Sequence, residues 1–335
     1  MQFFKKKAKS SARVGVVINA EELALAHMGE RDDAPYLLHC ESVAVESGKN
    51  AAVALSKIVK DLGLEGSQCS FVLSPKDYSL HLVEAPPVEP EEMRAAVRWK
   101  IKDLLDTKIE ETAIDVFEIP QDAYRGRKMV YVVASQKSRI QQIVDRVTES
   151  GLELAVIDIP ELAMKNMSNH FIEDSQGVAF MDLRRTGSTM NITRNGDLYL
   201  TRRINTQLDP DVMQSADWGA LKDRLVLEIQ RSLDYFESQM GQGQITKIVI
   251  VQRQNDTRGM LDSLNEMLTV KVSALDIGNF LNTDIVLTPQ MQQICMVAIG
   301  ATLRGGKGRA LPVQPGPDIP DPEFPNPEST DMEAA

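Results

Sequence analysis

Residues 177–204 are arranged as a phosphate-binding hairpin would be. An apolar segment, residues 178–183, carries Asp182 near its end and is followed by a turn and two further predicted strands. Many hairpins that hold a phosphate group begin with such a strand. In those hairpins the turn is made of small residues, whose backbone N–H groups can contact the phosphate. Here Arg184 and Arg185 follow the strand, where such a turn usually needs glycine. The stretch therefore predicts either a nucleotide site or the remains of one.

Other side chains that could do chemistry lack the spacing for it. The cysteines and histidines form neither a zinc-ligand pattern nor an HExxH motif. Asp115, Asp158 and Asp182 end or follow predicted strands, which leaves two interpretations: an acidic metal cluster, or caps of helices and turns, the commoner role of such acids. The sequence favours a reduced protein without a metal; the residues concerned are Cys40, Cys69, Cys295, His27, His39, His81 and His170.

Length, charge and terminal composition limit the function classes. With 335 residues the chain can form two cores, and its net charge of −11 argues against a general nucleic-acid binder. No apolar run approaches the roughly 20 residues that span a bilayer. Residues 1–12 are predicted to be a basic flexible leader, with contact to an anionic membrane surface as the alternative. Residues 305–335, rich in proline and acids, predict a disordered tail.

Two sets of predicted elements position the hairpin. Residues 13–77 are predicted as three strands, a helix and a fourth strand, and residues 177–304 repeat this order around the turn Asn195-Gly196. Duplicated β-β-β-α-β-α lobes that face each other are the organisation of the actin/hexokinase/FtsA-type α/β fold, in which nucleotide lies between the two hairpins. The sequence predicts this actin-like fold, with residues 153–176 as the return to the first lobe and the hinge.

An inserted α+β subdomain is predicted over residues 78–152. Its first helix begins at Glu89-Pro90, because acids in a first turn complement the helix dipole and proline is tolerated there. Trp99 lies in the middle of this helix and is expected to anchor the core. A second amphipathic helix ends at Gly151. The apolar stripe of the first helix is formed by Met93, Val97, Ile101 and Leu104.

Four segments carry a family resemblance. They are VEAPPVEPEEMRAAVRWKIKDLLDTKIEETAIDVFEI, VVASQKSRIQQIVDRVTESGLELAVIDIPELAM, RLVLEIQRSLDYFESQ and VAIGATLR. In this order they resemble the PilM-type actin-like proteins of type IV pilus assembly, which are related to the divisome protein FtsA. The third segment is the most specific match, and the ordered set covers residues 13–304. Within the family the chain is most similar to the MSHA pilus branch.

The chain departs from this family at three nucleotide-contacting loops. Where the family's first strand ends in Asp-Ile-Gly-Ser, this chain has Val17, Ile18, Asn19 and Ala20, followed by two glutamates that would repel a polyphosphate. Arg184 replaces a glycine of the second loop, and the third loop reads VQRQNDTRG instead of a turn rich in serine and glycine. Arginine can bind phosphate. At this position, however, its side chain would fill the space in which a phosphate approaches the backbone.

These departures imply a degenerate nucleotide cleft that holds neither ATP nor Mg²⁺. The residues of this cleft would be Asn19, Ala20, Asp182, Arg184, Gly187 and Ser188.

The resemblance implies a non-enzymatic cytoplasmic scaffold at the inner-membrane face. In PilM-like proteins the inserted subdomain helps form a groove for a short cytoplasmic peptide of an inner-membrane partner, here a PilN-like protein. Arg98 and Trp99 are the candidate contacts. Two alternatives stay open: an ATP-binding protein that works like PilM or FtsA, and a component like GspL of type II secretion. The second is disfavoured because that family continues into a spanning helix.

Overall fold

The computed structural model describes residues 13–46, 48–184, 188–209, 211–253, 255 and 257–305. The predicted leader and residues 306–335 of the predicted tail lie outside this part of the chain. The strands are β1 (Arg13–Ile18), β2 (Glu22–Arg31), β3 (Ala34–Ala44), β4 (Gln68–Val72), β5 (Ser79–Glu84), β6 (Thr112–Glu118), β7 (Met129–Gln136), β8 (Glu153–Asp158), β9 (Val178–Asp182), β10 (Ser188–Arg194), β11 (Asp197–Ile204), β12 (Lys247–Val251), β13 (Lys271–Leu275) and β14 (Asn282–Thr283). The helices are α1 (Gly48–Asp61), α2 (Pro90–Ile101), α3 (Lys137–Glu149), α4 (Pro160–Phe171), α5 (Trp218–Asp234), α6 (Thr257–Met267) and α7 (Pro289–Thr302).

The first lobe is built on a sheet with the strand order β14-β3-β2-β1-β4-β8. β1 is an almost unbroken apolar run because both of its faces are covered. Val14 and Val16 pack in the core that contains α1, whereas Val17 packs in the core that contains α7. β1 pairs antiparallel with β2 and parallel with β4. The turn from β1 to β2 therefore lies at the carboxyl edge of the parallel strands.

The second lobe repeats this topology. Its strand order β11-β10-β9-β12-β13 matches β3-β2-β1-β4-β8 strand for strand, which confirms the predicted duplication. The turn between β10 and β11 contains Asn195 and Gly196 with φ angles of 52° and 81°, the positive values of a type I′ turn. β9 pairs with β10 and β12, as β1 pairs with β2 and β4. Asp182 thus occupies the position in the second lobe that corresponds to the end of β1.

The inserted subdomain is a three-stranded sheet, β5-β7-β6, with α2 on one face. Helix α2 buries Met93, Val97 and Ile101 against the sheet, as predicted. The helix ends at Ile101, however, and Leu104 lies in the following 3₁₀ turn with 55% of its surface exposed. Leu104 is therefore not part of the apolar stripe.

Helices pack across the predicted boundaries of the lobes. Helix α3, predicted within residues 78–152, buries Ile143 and Val147 in the core of the first lobe. Helix α4, predicted with the first lobe, packs on β10 and β11 of the second sheet, and α7, predicted with the second lobe, packs on β1 and β2. β14 also joins the first sheet beside β3. Each of the two sheets is therefore covered by a helix from the other half of the chain.

Two glycines allow close approaches between the lobes: Gly15 lets α7 approach β1, and Gly300 lets α7 approach α4. A Cβ atom at Gly15 would lie 2.0 Å from the carbonyl oxygen of Ala298, and one at Gly300 would lie 2.3 Å from that of Ala163. Asn166 Nδ2 also donates a hydrogen bond of 2.9 Å to the Gly300 carbonyl. The layers therefore follow one another as first sheet, α7, α4 and second sheet. Although α7 is apolar, none of the described helices has both the length and the apolar character needed to cross a membrane.

Buried histidines are expected to make the stability of this packing depend on pH. Burial lowers the pKa of His170, at the end of α4, below the ordinary value of 6.5, although a hydrogen bond with the Leu303 backbone opposes the shift. Burial also lowers the pKa of His27, and the nearby His39 adds to this effect. At pH values between the lowered pKa and 6.5 the folded chain binds fewer protons than the unfolded chain. These histidines therefore cost no stability above pH 6.5, and they lower stability as the pH falls from 6.5 through their folded pKa values.

We expect the substitution His170→Gln to reduce this loss of stability in acid. One histidine contributes at most one proton, or about 1.4 kcal/mol per pH unit, to the slope of the unfolding free energy. Urea unfolding between about pH 7 and pH 5 measures the slope. Identical slopes for the substituted and the unsubstituted chain would contradict the prediction.

Candidate functional site

The ends of β1 and β9 meet around a small cavity. Asn19 and Ala20 after β1 line it together with Asp182 and Arg184 of the second lobe, so four of the predicted cleft residues come together. Ser188 is buried nearby, and its Oγ accepts a hydrogen bond of 3.3 Å from the Arg184 backbone N–H. Gly187 lies outside the described residues.

The turn after β1 uses its own backbone donors. Asn19 Oδ1 accepts hydrogen bonds from the N–H groups of Glu21 and Glu22, both at 2.9 Å. The backbone N–H of Asn19 in turn donates to the Glu22 carbonyl at 2.9 Å. In a phosphate-binding turn such N–H groups would point at the ligand. Here they are already bonded within the turn.

Arg184 occupies the space beside Asp182. Its Nε donates to Asp182 Oδ2 at 2.5 Å, and its Nη2 donates to the Gln293 carbonyl at 2.9 Å. Burial raises the pKa of the Asp182 carboxyl, and Arg184 opposes this shift. The other carboxylate oxygen, Oδ1, has no hydrogen-bond partner in the described structure. The position that the family fills with glycine thus holds a side chain joined to Asp182 and to α7.

A second arginine, Arg253, is buried and reinforces this arrangement. It follows β12 and has only 2% of its surface exposed. Its guanidinium donates to the Leu183 carbonyl at 3.2 Å and to the Asp209 carbonyl at 2.7 Å. Burial lowers the pKa of Arg253, and the carboxylates of Asp182 and Asp209 oppose the shift. The sequence placed this residue in an altered loop but gave no sign that its side chain would turn inward.

The remaining space in the cleft is small. The cavity has a volume of about 170 Å³, whereas small-molecule and cofactor sites usually occupy about 300–1,000 Å³. Arg184 and Arg253 already donate to protein oxygens, and so do the N–H groups of the β1 turn. Chemically, the arrangement joins the ends of β9, β12 and α7 by charged hydrogen bonds.

The three acids that could have formed a metal cluster do not meet. Asp115 pairs with Arg94, Asp158 pairs with Arg304, and Asp182 pairs with Arg184. Within the part of the chain that the structure describes, no group of three or more potential metal ligands is found.

The two predicted partner contacts lie on α2. Arg98 Nη2 donates to the Ile109 carbonyl at 2.6 Å and so holds the connection from α2 to β6. Trp99 is 78% exposed, so the expectation that it anchors the core is wrong. The physical reason is helical geometry: Val97 and Ile101 face the sheet, and a residue midway between them points to the opposite side. Lys102 Nζ lies 6.0 Å from the centre of the Trp99 ring.

A groove beside the inserted subdomain lies between β6 and β8, and we call it the edge groove. Residues 113–117 of β6 form one side, and Ile157 of β8 and Leu162 of α4 contribute to the other. Ile140 of α3 and Arg304 also line the cavity, whose volume is about 260 Å³. Both strands are outermost in their sheets, so in the described structure their outer edges pair with no strand. The sequence could not reveal this groove, because an edge is defined only once distant strands have paired.

A larger and more polar cavity of about 490 Å³ lies between β5 and β11. Some of its polar groups are paired with one another, and Glu161 is also bonded to Tyr78 behind the lining. Glu161 accepts a hydrogen bond of 2.5 Å from the Tyr78 hydroxyl and lies 3.6 Å from Arg203 Nε. The Thr201 backbone N–H, on the β11 edge, donates to the Tyr131 hydroxyl at 3.2 Å. At least one backbone N–H on the β11 edge therefore already has a hydrogen-bond partner.

Comparison with solved structures identifies the architecture. The chain superposes on a chain of the PilM–PilN type IV pilus biogenesis complex with a TM-score of 0.67 and 19% identity, over 89% of this chain and 98% of that chain. The chain has the actin-like fold. Its duplicated sheets, each with the same strand order, are the two lobes of that fold.

Two further solved structures resemble this actin-like fold more distantly. One is the cytoplasmic domain of EpsL, an inner-membrane component of the type II secretion system of Vibrio cholerae, with a TM-score of 0.49 and 10% identity over 85% of this chain and 94% of that chain. The other is a protein with an actin-like ATPase fold from Bacteroides thetaiotaomicron, with a TM-score of 0.47 and 9% identity over 88% and 99% of the two chains. No family model matches the sequence, and no curated protein matches it significantly.

Proposed function

We propose that this chain is a non-enzymatic scaffold of a type IV pilus machine of the MSHA kind, most similar to the MSHA biogenesis protein MshI. It acts at the cytoplasmic face of the inner membrane and docks on a PilN-like membrane protein. The likeness to a chain of the PilM–PilN complex, which extends over 98% of that chain, supports the assignment to pilus assembly.

The observation that carries the non-enzymatic part is the placement of Arg184 and Arg253. A triphosphate at the end of β9 would have to displace the Arg184 side chain from Asp182 and from the Gln293 carbonyl. It would also meet a turn after β1 whose N–H groups are bonded to Asn19. Binding the triphosphate would therefore break hydrogen bonds that the protein already makes. Each broken bond to a charged group costs about 1.5–3 kcal/mol. These costs favour a protein that binds partners over one that turns over ATP.

Titration with ATP and Mg²⁺ tests this part directly. We expect isothermal calorimetry to detect no binding of ATP·Mg²⁺ at sub-millimolar concentrations, because the cavity is small and because Arg184, Arg253 and the N–H groups of Glu21 and Glu22 already donate to protein oxygens in the described structure. A parallel titration with inorganic pyrophosphate tests whether the two arginines form an altered anion site. A micromolar dissociation constant for ATP would contradict the non-enzymatic assignment while leaving the docking part of the proposal intact.

For docking, we assign the partner peptide to the edge groove. The groove combines apolar side chains with strand edges that can accept an added strand, and an extended peptide uses both, with backbone bonds for affinity and side-chain pockets for specificity. β6 is the outermost strand of the inserted sheet and β8 is the outermost strand of the first sheet, so each presents an outer edge that an extended peptide can join.

Adding a long charged side chain to the groove is expected to weaken docking at least tenfold, or about 1.4 kcal/mol. Ala113 of β6 lines the groove, and in the substitution Ala113→Arg a guanidinium would occupy it. The probe is a synthetic peptide with the cytoplasmic N-terminal residues of the PilN-like protein, labelled for fluorescence anisotropy.

The matched control is Val53→Arg, which adds the same side chain at a position of α1 that is 71% exposed. The control is expected to bind the peptide as the unsubstituted chain does. Equal affinities of the two variants would place docking elsewhere on the molecule.

A further inference from the structure

The cavity between β5 and β11 is the largest of the three cavities described above, and we call it the junction cavity. Its lining joins two parts of the molecule, because Leu80 and Leu82 belong to the inserted subdomain whereas Thr201 and Arg202 belong to the second lobe. Its volume of about 490 Å³ lies within the range of about 300–1,000 Å³ that is usual for small-molecule sites. Such sites occur preferentially where parts of a chain meet. The junction cavity therefore has the size and the position of a ligand site.

Arg202 brings a positive charge to the junction cavity that is available for a ligand. Its guanidinium carbon lies 4.9 Å from the centre of the Tyr235 ring, and this cation–π contact orients the group. Among the described residues the Arg202 side chain has no hydrogen bond or ion pair. An oriented guanidinium can bind a carboxylate through two parallel hydrogen bonds. Arg202 can therefore bind an anion without giving up another partner.

The other three charged side chains of the lining are already paired. Glu161 is 1% exposed and lies 3.6 Å from Arg203 Nε. Glu228 lies 3.6 Å from Arg231 Nη1. These two pairs leave the charge of Arg202 as the net charge of the site, while their carboxylates would repel a ligand with two negative charges. The lining thus favours a ligand that carries a single negative charge.

Two hydroxyl groups supply further hydrogen-bond donors to the junction cavity. Tyr131 is 4% exposed, and its hydroxyl accepts a hydrogen bond of 3.2 Å from the Thr201 backbone N–H, so its own O–H can donate to a ligand. Burial raises the pKa of Tyr131 to about 12, and the hydroxyl therefore keeps its proton at neutral pH. The Thr201 hydroxyl is buried and has no hydrogen-bond partner in the described structure. A ligand oxygen would satisfy a buried group that is costly to leave unpaired.

The rest of the lining includes an apolar wall. Leu80, Leu82 and Leu200 line the junction cavity, and all three pack in the core that the inserted subdomain shares with the second lobe. Apolar surface of this kind binds an aliphatic or aromatic group, because water is released when the two surfaces meet. A hydrated inorganic anion would gain nothing from it. The lining therefore combines an anion-binding group with a surface for an apolar body.

We propose that the junction cavity binds a small organic acid, whose single carboxylate pairs with Arg202 and whose apolar body packs on the leucines of β5 and β11. The ligand contacts the inserted subdomain and the second lobe together, so its binding stabilises their present arrangement. This inference goes beyond the proposed function, and it depends neither on the assignment to pilus assembly nor on the edge groove.

Titration of the full chain with simple acids, followed by ¹H–¹⁵N correlation spectra, tests the site. The probes are hexanoate and 3-phenylpropionate, and the uncharged controls are hexanamide and 3-phenylpropanamide. We expect the acids to shift the backbone amides of residues 80–82 and 200–203 in a saturable way, and the amides to bind about tenfold more weakly or less, because they lose a charged hydrogen bond. No saturable shift with either acid, or equal affinity for acids and amides, would overturn the proposal. Equal shifts with inorganic phosphate would indicate an adventitious ion only and would overturn it as well.

The substitution Arg202→Gln locates the carboxylate. It is expected to weaken the binding of hexanoate about tenfold or more, since the charged donor is lost. The matched control is Arg258→Gln on α6, which removes the same charge at an exposed position outside the lining and is expected to leave the affinity unchanged. Equal affinity of Arg202→Gln and the unsubstituted chain would place the acid elsewhere and contradict the proposal. If Arg202→Gln does not fold, the comparison of acids with amides on the unsubstituted chain decides alone.

Discussion

Replacing Arg253 with methionine is expected to lower the free energy of unfolding by about 3–6 kcal/mol, because two hydrogen bonds from a charged donor are lost, at about 1.5–3 kcal/mol each. Arg253 is 2% exposed and donates to the carbonyls of Leu183 and Asp209. Methionine has a similar length but no donor, so both carbonyl oxygens lose a charged hydrogen bond. The buried carboxyl of Asp182 also loses one of its two neighbouring positive charges. Urea unfolding followed by circular dichroism measures the effect.

The control for this prediction is Arg231→Met on α5. Arg231 has 63% of its side chain exposed and lies 3.6 Å from Glu228 in a surface ion pair. Exposed pairs of this kind contribute about 0–1 kcal/mol, so the control is expected to change stability by no more than that. If Arg253→Met proved as mild as Arg231→Met, the hydrogen bonds of Arg253 would not be stabilising the cleft.

Replacing Gly300 with alanine is expected to lower the free energy of unfolding by about 1–3 kcal/mol or more, the usual cost of adding atoms to a tightly packed interior. The added Cβ would lie 2.3 Å from the Ala163 carbonyl oxygen and 3.0 Å from Met167 Cγ. Backbone cannot rotate away as a side chain can, so α4 and α7 would have to separate. Separation would also stretch the hydrogen bond from Asn166 to the Gly300 carbonyl. Thermal or urea unfolding reports the loss.

Gly219→Ala in α5 is the matched control, because an added Cβ there would meet no atom within 4 Å. Alanine favours a helix over glycine by up to about 1 kcal/mol. The control is therefore expected to be unchanged or slightly more stable. A similar loss of stability in both variants would show that the close approach of α4 and α7 is not what Gly300 provides.

Much of the fold could be predicted because short stretches of the sequence indicate individual strands, turns and helix faces. The apolar run of β1 indicates a strand covered on both faces, and Asn195-Gly196 specifies the turn of the second hairpin. The spacing of Met93, Val97 and Ile101 indicates the buried face of α2. Asp182 and Arg184 could be assigned to the cleft because both follow directly from the end of a recognisable strand.

What the sequence did not reveal depends on contacts between distant segments. The apolar composition of α7 indicates burial but not which sheet it covers, and the helix packs on the first lobe. Trp99 was expected in the core from its residue type alone, whereas the neighbouring turns of the helix place it outside. The Arg253 side chain is buried because it donates to the carbonyls of Asp209 and Leu183, which lie 44 and 70 residues away in the sequence.

Each sheet is covered by a helix from the other half of the chain, and this arrangement determines how a mechanical force passes through the molecule. Because α7 covers the first sheet and α4 covers the second, and because the two helices touch backbone to backbone, neither lobe possesses a complete interior by itself. At Gly300 the backbones of the two helices approach each other with no side chain between them, and this contact resists rotation of one lobe against the other. A pull exerted on the inserted subdomain would therefore be transmitted to both lobes.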